Sequence, residues 1–378
     1  MSTTLVTVCL MAVAIEIAAS KWVVASTAGG KRIRRVTLSQ EGPRERFAAL
    51  LAEVIKARQL AKLPPEARVV VAYEAGQEGF WLVRALRAHG IEAEVIDPVS
   101  LKVDRRAKRV KTDRLDAEAL VNALWRFING DREELRMVRV PSETAEDARE
   151  WQRERNRLAA EVCSCRDRIR KKLRTHGVWQ LPQKTWRADL RDGRWRTFAG
   201  TPLGPQLQRA LVIELDRLEL VESKLKALER DIDSLDAETR ERIERLVQMR
   251  GIGAAGSRAL AMQLFWREFD NRRQVGACVG LTGTPYDSGT IRQDQGISKA
   301  GDPRLRALLV ELSWLWLRLQ PDSAITRWFR ERTQGAGKRG RRVMIVAVAR
   351  KLAIALWRYV KFGEVPEGAR LKRSVATA

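Results

Sequence analysis

The hydrophobic period of this 378-residue chain changes once, near Ser142, and that change limits its possible folds more than any single motif. Before it, short apolar runs rich in β-branched residues occur at Val13 to Ile17, Val23 to Ser26, Ile33 to Thr37, Val69 to Tyr73 and Ala93 to Ile96. Runs of that length and composition predict buried strands. Helical patterns lie near Arg44 to Ala61 and Gly79 to Ala88. The order is a three-strand meander, then helix, strand, helix and strand, which predicts an α/β domain over residues 1–138. After the change, Ala148, Trp151, Leu158, Val162, Cys165, Ile169 and Leu173 recur at three- and four-residue steps. Leu211, Leu218, Leu225 and Ile232 form one seven-residue series, and Val221, Leu228 and Leu235 an offset one. These heptads predict paired long helices or a coiled coil over residues 139–245. Between them, Gly177 to Gly204 reads as an irregular insertion.

The third region, residues 246–378, predicts an all-α domain. Gly251-Ile252-Gly253 stands between two helical patterns. Such a turn exposes backbone N–H groups that can hold a phosphate, as in a helix-hairpin-helix element. A plain helical turn is the other reading. A loop is expected from Gly280 to Gly301, then helices at Pro303 to Leu319, Ser323 to Thr333 and Arg341 to Lys361.

Charge narrows the function. Lys and Arg number 71 against 47 Asp and Glu, a formal net charge of +24 spread along the chain. An excess of this size favours nucleic acid, because phosphate neutralisation releases counterions. Four scattered cysteines exclude a disulfide framework, and Cys163 and Cys165 lack zinc-ligand spacing. With two histidines, a metal bound here is expected to be a hard cation on carboxylates, Mg²⁺ or Mn²⁺. Leu5 to Ala19 lacks a basic flank and is too short to span a bilayer. It reads as a buried strand of a cytoplasmic protein with no membrane partner.

Lys111-Thr112-Asp113-Arg114-Leu115-Asp116 carries the most pointed chemistry. A helix starting at Thr112 puts Asp113 and Asp116 on one face. Arg105, Arg106, Lys108, Arg109 and Lys111 surround them, so acids for a metal sit among bases for phosphate. A capped helix with a solvated charged face is the plainer reading. Glu16 and Glu74 end the first and fourth predicted strands. Acids at neighbouring strand ends and a helix start can converge, as in a ribonuclease H-like metal site.

Tyr73-Glu74-Ala75-Gly76-Gln77-Glu78-Gly79-Phe80-Trp81-Leu82, Val95-Ile96-Asp97-Pro98 and Lys111 to Asp116 together resemble the DEDD transposases. These are the insertion-sequence recombinases of the "one-ten" family, related to the Piv DNA invertases. Gly280-Leu281-Thr282-Gly283-Thr284-Pro285-Tyr286-Asp287-Ser288-Gly289 and Gln295 to Gly301 look most like the "eleven-eleven" subgroup. The resemblance covers nearly the whole chain. It implies a RuvC-like N-terminal domain with Glu16, Glu74, Asp113 and Asp116 as a Mg²⁺-binding catalytic tetrad. The family usually has Asp at the first position, where this chain has Glu16. It also implies Ser288 as nucleophile. From residue type, Arg292, Lys299 and Arg304 are candidates to neutralise charge on the phosphate, and the basic helix with Arg341 and Arg342 is a candidate for phosphate contact.

The activity implied by this resemblance is that of a site-specific recombinase moving an insertion sequence in the bacterial nucleoid. Its implied partners are target and donor DNA and an element-encoded guide RNA. The heptads add an expectation of homo-oligomers, dimers or tetramers. Two alternatives stand beside this reading. One is a Mg²⁺-dependent hydrolytic nuclease or junction resolvase, with water as nucleophile. The other is a nucleic-acid-binding protein without catalysis.

Overall fold

A computed structural model describes residues 10–29, 32–101, 113–180, 184–288 and 291–372; the side chains of 113–115, 286–288 and 291–294 are outside the description. The chain divides into two compact units, Met1–Val140 and Pro141–Ala378.

The first unit is built on a five-stranded sheet of β1 (Leu10–Ile17), β2 (Trp22–Thr27), β3 (Arg34–Leu38), β4 (Arg68–Glu74) and β5 (Glu92–Ile96), in the order β3-β2-β1-β4-β5. The meander is antiparallel, whereas β4 and β5 join β1 in parallel. The parallel connections run through α1 (Pro43–Leu60) and α2 (Trp81–Ala88). These elements follow the strand and helix order that the sequence predicts. Both faces of the sheet are covered, which is why β1 and β4 read as continuous apolar runs. Met11, Val13, Ile15, Val71 and Tyr73 face one way, with Leu50, Val54, Leu82 and Leu86 of the two helices. Ala12, Ala14, Val70 and Ala72 face the other, against α3 (Asp113–Ile128) through Ala117, Leu120, Val121 and Leu124. The small alanines let this helix lie close to the strands.

In the second unit α4 (Glu143–Arg174) is capped by Ser142, whose Oγ accepts from the Ala145 N–H at 3.1 Å. Acids in its first turn and Lys171, Lys172 and Arg174 in its last suit the helix dipole. After α5 (Trp186–Arg191), α6 (Pro205–Arg230) packs along α4. Arg155–Glu229, Arg166–Glu222 and Arg168–Glu214 link the two, and the falling partner numbers make them antiparallel. The apolar series is thus used within one chain: Val162, Cys165, Ile169 and Leu173 meet Leu211, Leu215 and Leu218.

The segment between them is more ordered than its composition suggests. Leu190, Trp195 and Leu203 are buried against α4 and α6. Arg187 holds Glu222 at 2.8 Å, and Arg191 holds Asp216 and Glu219 at 2.7 and 2.6 Å. Arg187 and Arg191 therefore bind protein carboxylates. Trp179 remains exposed, under the Arg174 guanidinium.

The rest of this unit contains α7 (Ala237–Gln248), α8 (Ala254–Gln263), α9 (Arg272–Cys278), α10 (Pro303–Leu319), α11 (Ala324–Arg332) and α12 (Lys338–Phe362). They surround a core that includes Leu246, Leu260, Leu309, Trp316, Leu352 and Leu356. The predicted loop from Gly280 to Gly301 is instead an antiparallel hairpin of β6 (Gly283–Ser288) and β7 (Ile291–Ile297). Glycines close its base. A Cβ on Gly280 (φ +65°) would stand 2.0 Å from the Ala300 oxygen, and one on Gly301 (φ +106°) would stand 2.2 Å from that of Cys278. No described helix is long and apolar enough to cross a membrane.

Candidate functional site

Pairing between β1 and β4 fixes the first two acids. Ile15 lies opposite Tyr73 in the parallel register, so the next residues along, Glu16 and Glu74, stand side by side at the strand ends. Side chains alternate along a strand. Ile15 and Tyr73 point toward α1 and α2, and Glu16 and Glu74 therefore project on the opposite face, which α3 covers. Glu16 is half-buried and Glu74 exposed.

The direction of α3 follows from two contacts. Gly29, just past the end of β2, leaves room for the Trp125 ring, which a Cβ there would meet at 3.0 Å. Because Thr27 pairs with Ala12, that is the end where β1 begins. Leu124, Phe127 and Ile128 line a small cavity with Arg68 and Glu92, the first residues of β4 and β5. The last turns of α3 thus lie over the start of the parallel strands. Its first turn, bearing Asp113 and Asp116, lies toward the end where Glu16 and Glu74 stand. Asp116 is half-buried, and the side chain of Asp113 is outside the description. Among the described residues, no three His, Cys, Asp or Glu side chains form a group that could hold a metal ion.

The loop after Glu74 is tied down by its neighbours. The buried Tyr73 hydroxyl donates to the Gly79 carbonyl at 2.9 Å, and the Ala75 N–H donates to Ile96 O at 2.9 Å. Tyr73 thus positions the turn beside Glu74, a task the sequence gives no sign of beyond the motif itself. Asp97, the acid of the Val95 to Pro98 motif, caps a local turn by accepting from the Val99 N–H at 3.0 Å.

At the other end of the sheet, acids are bound to arginines. Arg68 holds Glu92 through bonds of 2.7 and 2.6 Å, and that hydrogen-bonded pairing keeps the Glu92 carboxyl below its ordinary range. Arg87 reaches Glu94 at 3.3 Å, yet burial leaves that carboxyl above its ordinary range.

The basic residues expected around the acids, Arg105, Arg106, Lys108, Arg109 and Lys111, lie outside the described residues. Ser288 ends β6, in the second unit, opposite Ile291, and Arg292 lies opposite Asp287; both side chains are outside the description. Lys299 is exposed at φ +55°, near the hairpin base, where its N–H donates to Gly280 O. Arg304 is exposed in the first turn of α10, which Asp302 caps. Arg341 and Arg342 are exposed near the start of α12, beside Lys338 and Arg339 and with no acid in that first turn. The Gly251 turn joins α7 to α8, and Gly253, Ala254 and Ala255 at the start of α8 are exposed. Cys278 is half-buried, and burial raises its thiol.

Comparison with known proteins gives one consistent result. Residues 13–177 match a DEDD transposase family model of the IS110 type, and residues 243–328 match the model described as Transposase IS116/IS110/IS902 family. A putative transposase of Sinorhizobium fredii, y4rJ, is 38% identical, over 95% of this chain and 94% of its own length. A probable family 20 transposase of Pseudomonas aeruginosa is 29% identical, over 78% of this chain and 84% of its own. The transposase for insertion sequence element IS1111A of Coxiella burnetii is 24% identical, over 76% of each chain.

Proposed function

The chain belongs to the IS116/IS110/IS902 family of transposases, enzymes that cleave and rejoin DNA, and on that premise we propose that it does so with a carboxylate-held cation and a serine nucleophile. The observation that carries this reading is the shared register of Glu16 and Glu74, with the first turn of α3 directed to the same end of the sheet. The strand order supports a RuvC-like, ribonuclease H-like domain. Carboxylates without histidine or thiolate neighbours fit a hard cation, so Glu16, Glu74, Asp113 and Asp116 would hold Mg²⁺ or Mn²⁺. Bound there, the cation would supply positive charge to the phosphate oxygens.

Ser288 takes the covalent role. Its Oγ attacks the scissile phosphorus and loses its proton, the P–O bond to the leaving strand breaks, and a phosphoserine ester conserves the bond energy. A strand-end hydroxyl then displaces Ser288 and rejoins the DNA. Arg292, Lys299 and Arg304 steady the phosphate charge, while Arg105, Arg106, Lys108, Arg109, Lys111, Arg341 and Arg342 contact nucleic-acid backbone. Three regions share the work: a catalytic domain at 1–138, a coiled-coil region at 139–245 and a helical domain at 246–378. The family resemblance supports a guide RNA in addition to target and donor DNA, at the nucleoid, and the net charge of +24 is compatible with both nucleic acids. Joining two duplexes calls for a dimer or tetramer.

The test is strand exchange by purified protein with the element's RNA, both DNAs and Mg²⁺. A protein–DNA adduct on denaturing gels is expected, lost in Ser288→Ala and on chelation. Undiminished exchange by Ser288→Ala removes the serine mechanism. Cleavage without an adduct favours the hydrolytic nuclease.

A further inference from the structure

Arginines lie over Trp151, Trp179, Trp186 and Trp266 in the second unit, and among the described residues the sites at Trp151 and Trp266 differ in counter-charge. Arg258 lies over Trp151, 5.7 Å from its ring centroid, and binds Glu229 at 3.1 Å. Glu229 also takes Arg155 at 2.9 Å, so a carboxylate balances that cluster. At the second site, Arg149 of α4 and Arg267, just after α8, lie over the Trp266 ring at 5.1 and 5.0 Å. The indole is fixed by its own Nε1, which donates to Gln263 O at 3.2 Å. Both arginines are half-buried, and among the described residues neither guanidinium has an ion-pair or hydrogen-bond partner.

That is an unusual placement for two cations. Guanidinium groups withdrawn from water are normally paired, because desolvation is costly without an opposite charge. The Nε atoms of Arg258 and Arg267 are both buried without an acceptor, but only at Trp266 does the rest of the guanidinium lack one too. Burial, and then the charges of Arg153 and Arg267, push the Arg149 guanidinium below its ordinary value. Glu146 and Asp302 pull on it through space without pairing with it.

We propose that Arg149 and Arg267, braced by Trp266, form a clamp for a backbone phosphate of the DNA that this transposase binds. Two planar forks on one rigid ring match the oxygens of a single phosphodiester. Stacking on the indole limits the side-chain freedom that binding would otherwise remove. Asp302 and Arg267 both act on Cys278, whose carbonyl lies against Gly301. The clamp therefore sits near the base of the β6–β7 hairpin, with Ser288 at the tip. It grips DNA away from the reacting linkage. The inference rests on the DNA substrate of the family and not on the serine chemistry.

The experiment is fluorescence anisotropy of full-length protein on a labelled duplex carrying the element end, over a series of salt concentrations. Arg149→Gln with Arg267→Gln should weaken binding about tenfold and reduce the log–log salt slope by about 0.9, the value for one lost phosphate contact. Arg149→Lys with Arg267→Lys should recover the slope. The readout is binding and not strand exchange, so a failed serine mechanism leaves this inference standing. An unchanged slope in the glutamine pair, with or without a lower Tm, would mean that the arginines only pack on the ring, and it overturns the proposal. So does a slope lost on a single-stranded RNA of equal length but kept on the duplex.

Discussion

The two ends of one sheet treat the same side chain differently. Where β4 and β5 begin, Glu92 is locked to Arg68 by two short bonds. Where β4 ends, Glu74 is exposed, has no cationic partner among the described residues and lies next to Glu16 in register. Two acids adjacent at the carboxyl ends of parallel strands repel each other, and a bound cation would relieve that repulsion. The carboxyl end of a parallel sheet is also where such folds commonly place ligands.

Substitutions can break this contrast, beginning with the largest effect. Glu74→Gln keeps the size of the side chain and removes its charge. It should lower strand exchange by about a thousandfold or more, measured by product formation, with a Tm close to that of the parent protein. A variant that recombines normally would make the two ends equivalent and remove Glu74 from the site.

Leu124→Ala asks whether α3 is held over the acids by its packing. The side chain is fully buried between α3 and the sheet, and its loss should cost about 2–5 kcal/mol in denaturant unfolding. A cost below about 1 kcal/mol would show that α3 does not dock as described.

Glu92→Gln should have the smallest effect. Both partners of the Arg68 pair are more than 40% exposed, so the loss should be about 0.2–1 kcal/mol with activity unchanged. The pH dependence has a definite sign. Arg68 keeps the Glu92 carboxyl below its ordinary value of 4.5, so the pair stabilises fully above that value. The contribution falls as pH drops through 4.5 and is gone below the folded-state pKa. Glu92→Gln should flatten that part of the unfolding curve against pH; an unchanged curve would show that the pair does not persist in solution.

Much of the fold could be read from the chain, for reasons that differ by element. β1 and β4 are buried on both faces, and their unbroken apolar runs identify them as strands. Pro303 with Asp302 before it marks the start of α10 as predicted. The hairpin was illegible. Gly, Thr, Ser and Asp between Gly280 and Gly301 carry the composition of a loop, while β6 and β7 are held by backbone pairing that composition does not encode. The heptads marked the helices, and they also carried the expectation of homo-oligomers. A seven-residue series specifies an apolar seam, and Val162, Ile169 and Leu173 meet Leu211, Leu215 and Leu218 within the same chain. Gly177 to Gly204 read as an irregular insertion, whereas Arg187 and Arg191 within it are held by Glu222, Asp216 and Glu219 of α6.

The sequence alone determined which acids end strands, where the period changes from sheet to helix, and that the chain carries the transposase motifs. Those are local properties, set by neighbours along the chain. Tertiary structure alone decided that Glu16 and Glu74 share one register, that α3 begins toward them, and that Trp266 collects two arginines from distant segments. Each of these depends on how remote segments pack, and packing is a property of the assembled core that no window of the chain contains.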